Sequence, residues 1–111
     1  MRPEERDPGS LWDMREAAQE IAAFVRGVTR EQYSEDSKLR RAVERDLEII
    51  GEAARHVSES FRTQHPEIPW RQIIGLRNIL SHDYGSVEDE RVFAVAQGRI
   101  PDLIAQLDRL M

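Results

Sequence analysis

Trp70-Arg71-Gln72-Ile73-Ile74-Gly75-Leu76-Arg77-Asn78-Ile79-Leu80-Ser81-His82-Asp83-Tyr84 is the stretch from which the fold is read. Trp70, Ile73, Ile74, Arg77 and Leu80 recur at three- and four-residue spacing, the period of one helix face. The pattern then runs into a cluster of ionisable groups, and Asp83-Tyr84-Gly85-Ser86 is built of turn formers. The helix is therefore expected to end near Ser81 or His82.

Upstream, Ser58 to Pro69 contains His65-Pro66 and Ile68-Pro69 and reads as a loop, with Phe61 tucked inward and Pro69 suited to the first position of the next helix. Before it, a long helix is expected from Asp36 or Ser37 to Val57, its buried stripe formed by Leu39, Val43, Leu47, Ile50 and Val57. Glu44, Arg45, Asp46, Glu48, Glu52 and Arg55 read as its solvated, ion-paired face. Within it, Gly51-Glu52-Ala53-Ala54 has side chains small enough for another helix to come close, which would direct Glu52 toward the Arg77 region.

Thr29-Arg30-Glu31-Gln32 is a capping-box pattern that starts a short turn or helix anchored by Tyr33. A first helix is expected from Leu11 to about Val28, capped by Ser10 and fraying at Gly27, with Pro3, Pro8 and Gly9 marking residues 1–9 as a flexible leader. Downstream of the motif, Ser86-Val87-Glu88-Asp89 is a helix start. Val87, Val92, Phe93 and Val95 or Ala96 continue it until Gly98 and Pro101 break it. Pro101 should then stand in the first turn of a last segment packed through Leu103, Ile104, Leu107 and Leu110 or Met111. The expected fold is all-α: residues 10–111 form a single domain, an up-and-down bundle of four to five helices.

A chain of 111 residues, 40% of them hydrophobic, has enough apolar material for one core. No run reaches the roughly twenty apolar residues that span a bilayer, and the polar N-terminus lacks a signal-peptide pattern, so the expectation is a cytoplasmic protein without membrane contact. With no cysteine, disulfides and thiolate metal sites are excluded. His56, His65 and His82 share no metal-ligand spacing, so neither metal nor other cofactor is expected. The net charge of −5 argues against broad electrostatic contact with nucleic acid, and any such contact must be a local basic pocket.

Two residues of the motif bear chemistry. Arg77 offers a permanently charged planar fork that holds a phosphate or carboxylate but accepts no proton. His82 supplies an imidazole that gives and takes protons near neutral pH. On an unbroken helix the two positions lie about 140° apart, given roughly 100° per residue. Either a helix end near His82 or a second subunit must close that gap. The plain alternative is a histidine closing a helix C-terminus and a solvated arginine one turn earlier. Trp70 lies on the Ile73 and Leu80 side and reads as core or dimer contact.

Arg77, four residues, His82, one residue and Tyr84 together resemble the Arg-x4-6-His motif of HEPN ribonucleases in the HepT toxin form, which is extended by a tyrosine. Residues 41–55, 69–84 and the closing Ile100-Pro101-Asp102-Leu103 also look like that family. The resemblance implies a dimeric, metal-independent endoribonuclease acting on RNA, not DNA, with the two motifs facing one another across a shared cleft. It gives His82 the acid/base role, Arg77 the phosphate clamp and Asn78 a part in orienting Arg77 or substrate. Asp83 either raises the imidazole pKa or forms the turn, and turn formation is the plainer reading. The resemblance further implies a minimal nucleotidyltransferase antitoxin that adenylylates Tyr84. The competing reading is a non-catalytic module that binds a nucleotide or docks a nucleotidyltransferase.

Overall fold

In the computed structural model the backbone is described for residues 2–82 and 86–111, and the side chains for residues 2–76 and 89–111. Helix α1 spans Pro3–Val25, α2 Arg30–Glu35, α3 Ser37–His56, α4 Glu59–Gln64, α5 Trp70–His82 and α6 Ser86–Ala94. A π-helical turn, Val95–Arg99, joins α6 to α7, Ile100–Leu110. The described residues are helical or connecting, with no strand. The architecture is the expected all-α bundle: α1, α3, α5 and the α6–α7 arm are its long members, and α2 and α4 are short connecting helices.

Helix α1 packs most extensively on α3, α3 on α5, and α1 again on α7. Leu11, Met14, Ala18 and Ile21 of α1 meet Val43, Leu47, Ile50 and Ala54 of α3 and Leu103 and Leu107 of α7 in one core. The stripes read from the sequence supply Val43, Leu47 and Ile50 of α3 and Leu103 and Leu107 of α7, and Ala54 joins them from the small-residue segment. Leu39, Val28 and Ile104 are only partly buried, and Phe24 lies outward at 39% exposure.

Helix α1 begins at Pro3 rather than near Leu11, so Ser10 lies inside it, and residues 3–9 form its first two turns. Tertiary contact overrides local composition here. Asp7 is buried, and its two oxygens accept from the Ser58 backbone N–H at 2.8 Å and the Ser58 hydroxyl at 2.6 Å. Ser58 in turn caps α4 by accepting from the Phe61 N–H at 3.2 Å. This relay places a helix at Glu59–Gln64 inside the segment that reads as loop. Phe61 turns inward as expected and meets Trp70 edge-on at 6.2 Å.

The other connections follow their sequence signals. Thr29 Oγ1 accepts from Gln32 N–H at 3.1 Å while Gln32 Oε1 accepts from Thr29 N–H at 2.9 Å, a complete capping box. Gly27 takes φ +72°, which an L side chain resists, and lets the chain leave α1. Tyr33 is fully buried and stacks on Phe93 at 5.0 Å, fixing α2 to α6. Pro101 stands in the first turn of α7, and the turn before it widens so that Ile100 N–H reaches back to Val95 O. A proline without a donor is accommodated by that widening.

Asp46 departs from the expected solvated face of α3: it is 5% exposed and belongs to the buried side with Val43, Leu47 and Ile50. Its spacing from those residues is helical, so position outweighed residue type.

Candidate functional site

Helix α5 carries the motif. Trp70 anchors its start: the indole Nε1–H donates to His65 O at 2.9 Å, and the ring is 8% exposed, which makes Trp70 a core residue. The middle of α5 is fixed by Gly51 of α3. A Cβ at Gly51 would lie 3.2 Å from Ile73 O and 3.9 Å from Ile74 O, so the two backbones approach where the sequence places small residues. Ile73 is one turn ahead of Arg77, so this contact sets the level of the motif against α3.

The helix continues to His82, which keeps Arg77 and His82 five residues apart on one helical backbone and about 140° apart in register. The side chains of Arg77, Asn78 and His82 lie outside the described residues, and so do Asp83 and Tyr84 entirely. What the described residues define is the frame around them. Downstream, α6 is tied back to the first half of the chain. The Arg40 guanidinium lies 3.7 Å from Asp89 and also donates to Ser34 O, and Arg30 lies 3.5 Å from Glu90. Together with the Tyr33–Phe93 stack, these contacts tie the element after the motif to α2 and α3. Burial, and next the charge of Asp89, pushes the Glu44 carboxyl up from its ordinary value.

Glu52 follows Gly51 but is turned about 100° from it on α3, and the Arg55 and His56 side chains at its carboxylate belong to α3 itself. Its carboxylate accepts from Arg55 at 2.8 Å and lies 3.2 Å from His56 Nε2. The Arg55 hydrogen bond holds its pKa below the ordinary range, so Glu52 is an ionised, half-exposed carboxylate at neutral pH.

A cleft of about 670 Å³ lies between α5 and the α6–α7 arm. Its lining includes Leu47, Ile50, Ile73, Leu76, Val92 and Val95. A shallower groove of about 440 Å³ lies between α4 and α5, lined by Glu59, Arg62, Thr63, Trp70, Arg71 and Ile74. The sequence reading did not single out Arg62 and Arg71. With Ser58–Pro69 read as a loop, nothing placed Arg62 beside α5. The available signal was Ser58 three residues before Phe61, a cap pattern followed by a short apolar turn. Among the described residues no cluster of three or more His, Cys, Asp or Glu is placed to hold a metal ion. Among them, too, no helix is long and apolar enough to cross a membrane.

Residues 14–110 match the family model described as "Ribonuclease HepT-like". A protein of Methanocaldococcus jannaschii named "Putative RNase" is 32% identical over 98 residues, covering 88% of this chain and 90% of that protein. A "Probable ribonuclease HepT" of Thermococcus cleftensis is 37% identical over 100 residues, covering 90% and 91%. A "Putative RNase" of Caldanaerobacter subterraneus subsp. tengcongensis is 36% identical over 87 residues, covering 78% of each. No solved structure matches the chain.

Proposed function

This chain belongs to the HepT-like ribonuclease family, and from that membership we propose that it is the toxin of a toxin–antitoxin pair, a metal-independent endoribonuclease. The observation that carries the reading is the family match over residues 14–110 together with the intact series Arg77, His82 and Tyr84 inside it.

RNA contains its own nucleophile. In the proposed reaction the 2′-hydroxyl oxygen attacks the adjacent phosphorus, the bond from phosphorus to the 5′-oxygen breaks, and a 2′,3′-cyclic phosphate and a 5′-hydroxyl result. One His82 removes the 2′ proton and a second gives a proton to the departing 5′-oxygen. Arg77 stabilises the charge that grows on the non-bridging oxygens, with Asn78 orienting it. A monomer holds one such histidine, so the reaction is assigned to a homodimer with a shared cleft. Glu52, an ionised carboxylate on α3, is assigned to holding the Arg77 guanidinium in place. Asp83 is assigned to the turn.

Control is assigned to Tyr84. A minimal nucleotidyltransferase antitoxin moves AMP from a nucleoside triphosphate to the phenol oxygen, releasing pyrophosphate. The new phosphodiester adds negative charge and bulk beside Arg77 and competes with RNA for the clamp.

The test is cleavage of cellular RNA by the purified protein in EDTA, with His82→Ala alongside. The expected result is cleavage that survives chelation, leaves cyclic phosphate ends and falls by roughly 10²- to 10⁴-fold in the variant. Absence of cleavage by protein whose intact mass shows an unmodified Tyr84 would leave the nucleotide-binding or docking module as the function.

A further inference from the structure

The ribonuclease reading leaves open how an acidic protein holds its substrate. With a net charge of −5, RNA must be gripped by a few placed cations. Several described arginines are already engaged: Arg15 pairs with Asp108, Arg30 with Glu90, Arg40 with Asp89, Arg45 with Glu48 and Arg55 with Glu52. Arg62 and Arg71 differ. They line one groove, between α4 and α5, and neither has an acidic partner within ion-pair distance among the described residues.

Arg62 is the more telling of the two. Its Nε is buried and makes no hydrogen bond. A guanidinium that loses water at one donor without gaining an acceptor is held at a cost, which a bound anion would offset through the charge of the whole group. Arg71 is exposed on the other wall of the same groove and supplies a second fixed charge. Glu59, exposed on the groove, is the one carboxylate among its lining residues.

Position completes the case. Arg71 precedes Arg77 by six residues on the unbroken helix α5, an axial separation of about 9 Å. That is about one or two nucleotide steps along a single strand, whose backbone would run obliquely across α5 because the two positions lie about 120° apart in register. Trp70, at 8% exposure and with its indole N–H already bonded, is too buried to stack on a base. The groove therefore offers charge to a backbone without reading its sequence.

We propose that Arg62 and Arg71 form a phosphate-binding subsite that grips the RNA backbone within a few nucleotides of the scissile bond. The subsite rests on the ribonuclease reading and extends it from chemistry to substrate grip.

The test is binding of a single-stranded RNA of roughly ten nucleotides, measured by anisotropy over a salt series in a His82→Ala background so that the probe stays intact. Arg62→Gln with Arg71→Gln should weaken binding about tenfold and reduce the salt slope by about 1.4, two contacts at about 0.7 each. Arg26→Gln with Arg109→Gln removes the same charge from exposed sites elsewhere and should change neither readout. Arg71→Gln alone, at a surface position, keeps the test open if the double variant folds poorly. It should reduce the slope by about 0.7. Equal behaviour of the two double variants overturns the subsite. So does loss of binding to a partner protein with RNA affinity and slope intact, which would make the groove a protein-docking face. Failure of the wild-type protein to cleave RNA would sink the ribonuclease reading alone, because the binding series decides the subsite without cleavage.

Discussion

At the scale of the residue, Asp46 sits in an environment unlike that of an ordinary aspartate. It is 5% exposed on the side of α3 that faces α1, and its Oδ2 has no hydrogen-bond partner. Burial, and next the neighbouring Glu20 of α1, pushes its carboxyl up to about 7, while Arg45 pulls it down. A carboxyl raised in the folded state binds its proton more tightly there than in the unfolded chain. Its contribution to stability is full below pH 4 and is lost as pH rises through about 7. Urea unfolding at pH 5 and pH 8 should show a loss on the order of 2 kcal/mol between them. Asp46→Asn, which keeps the shape of the protonated acid, should remove most of that difference; an unchanged difference would place the proton elsewhere. This residue also marks a limit of pattern reading. Asp46 falls at helical spacing from Val43, Leu47 and Ile50, yet an aspartate among charges reads as solvated because side-chain type, not position, dominates such a judgement.

Elements were legible where local signals determine them. The capping box at Thr29, the small-residue approach at Gly51, the break at Pro101 and the start of α5 at Trp70 all follow from short-range chemistry, and each stands where the sequence indicates. The first two turns of α1 and the whole of α4 were not legible. Both depend on the contact between Asp7 and Ser58, which are 51 positions apart, and no window along the chain contains both. The Arg62–Arg71 groove escaped for the same reason, since it exists only once α4 forms. The packing of α3 on α5 gives a direct test. In Gly51→Val the branched side chain has a backbone carbonyl within 3.2 Å of its Cβ, and a helix backbone does not yield as a flexible side chain would. The variant should lose roughly 1–3 kcal/mol in denaturant unfolding. RNA cleavage should fall further than the folded fraction does, because α5 moves with its motif. Equal losses in both measurements would uncouple that contact from the site.

For the whole molecule, the question is how many copies make one site. If two protomers share a cleft, a purified heterodimer of one wild-type and one His82→Ala chain holds a single imidazole where two are needed. Its activity should fall by roughly 10²-fold or more. Activity near half that of the wild type would mean independent sites and would remove the argument for a shared cleft. One further consequence follows from the way α1 lies between α3 and α7, with Leu11, Met14 and Ile21 in the same core as Leu103 and Leu107 and with Arg15 3.7 Å from Asp108. Translation produces α1 first and α7 last of these, and α1 is held by elements on both sides of the motif. A nascent chain that has already emerged through Tyr84 still lacks the helix that closes its core, so the bundle is completed only after the motif has been made. For a ribonuclease formed on a ribosome, where RNA is closest and most abundant, that order delays the finished fold until synthesis has passed residues 77–84.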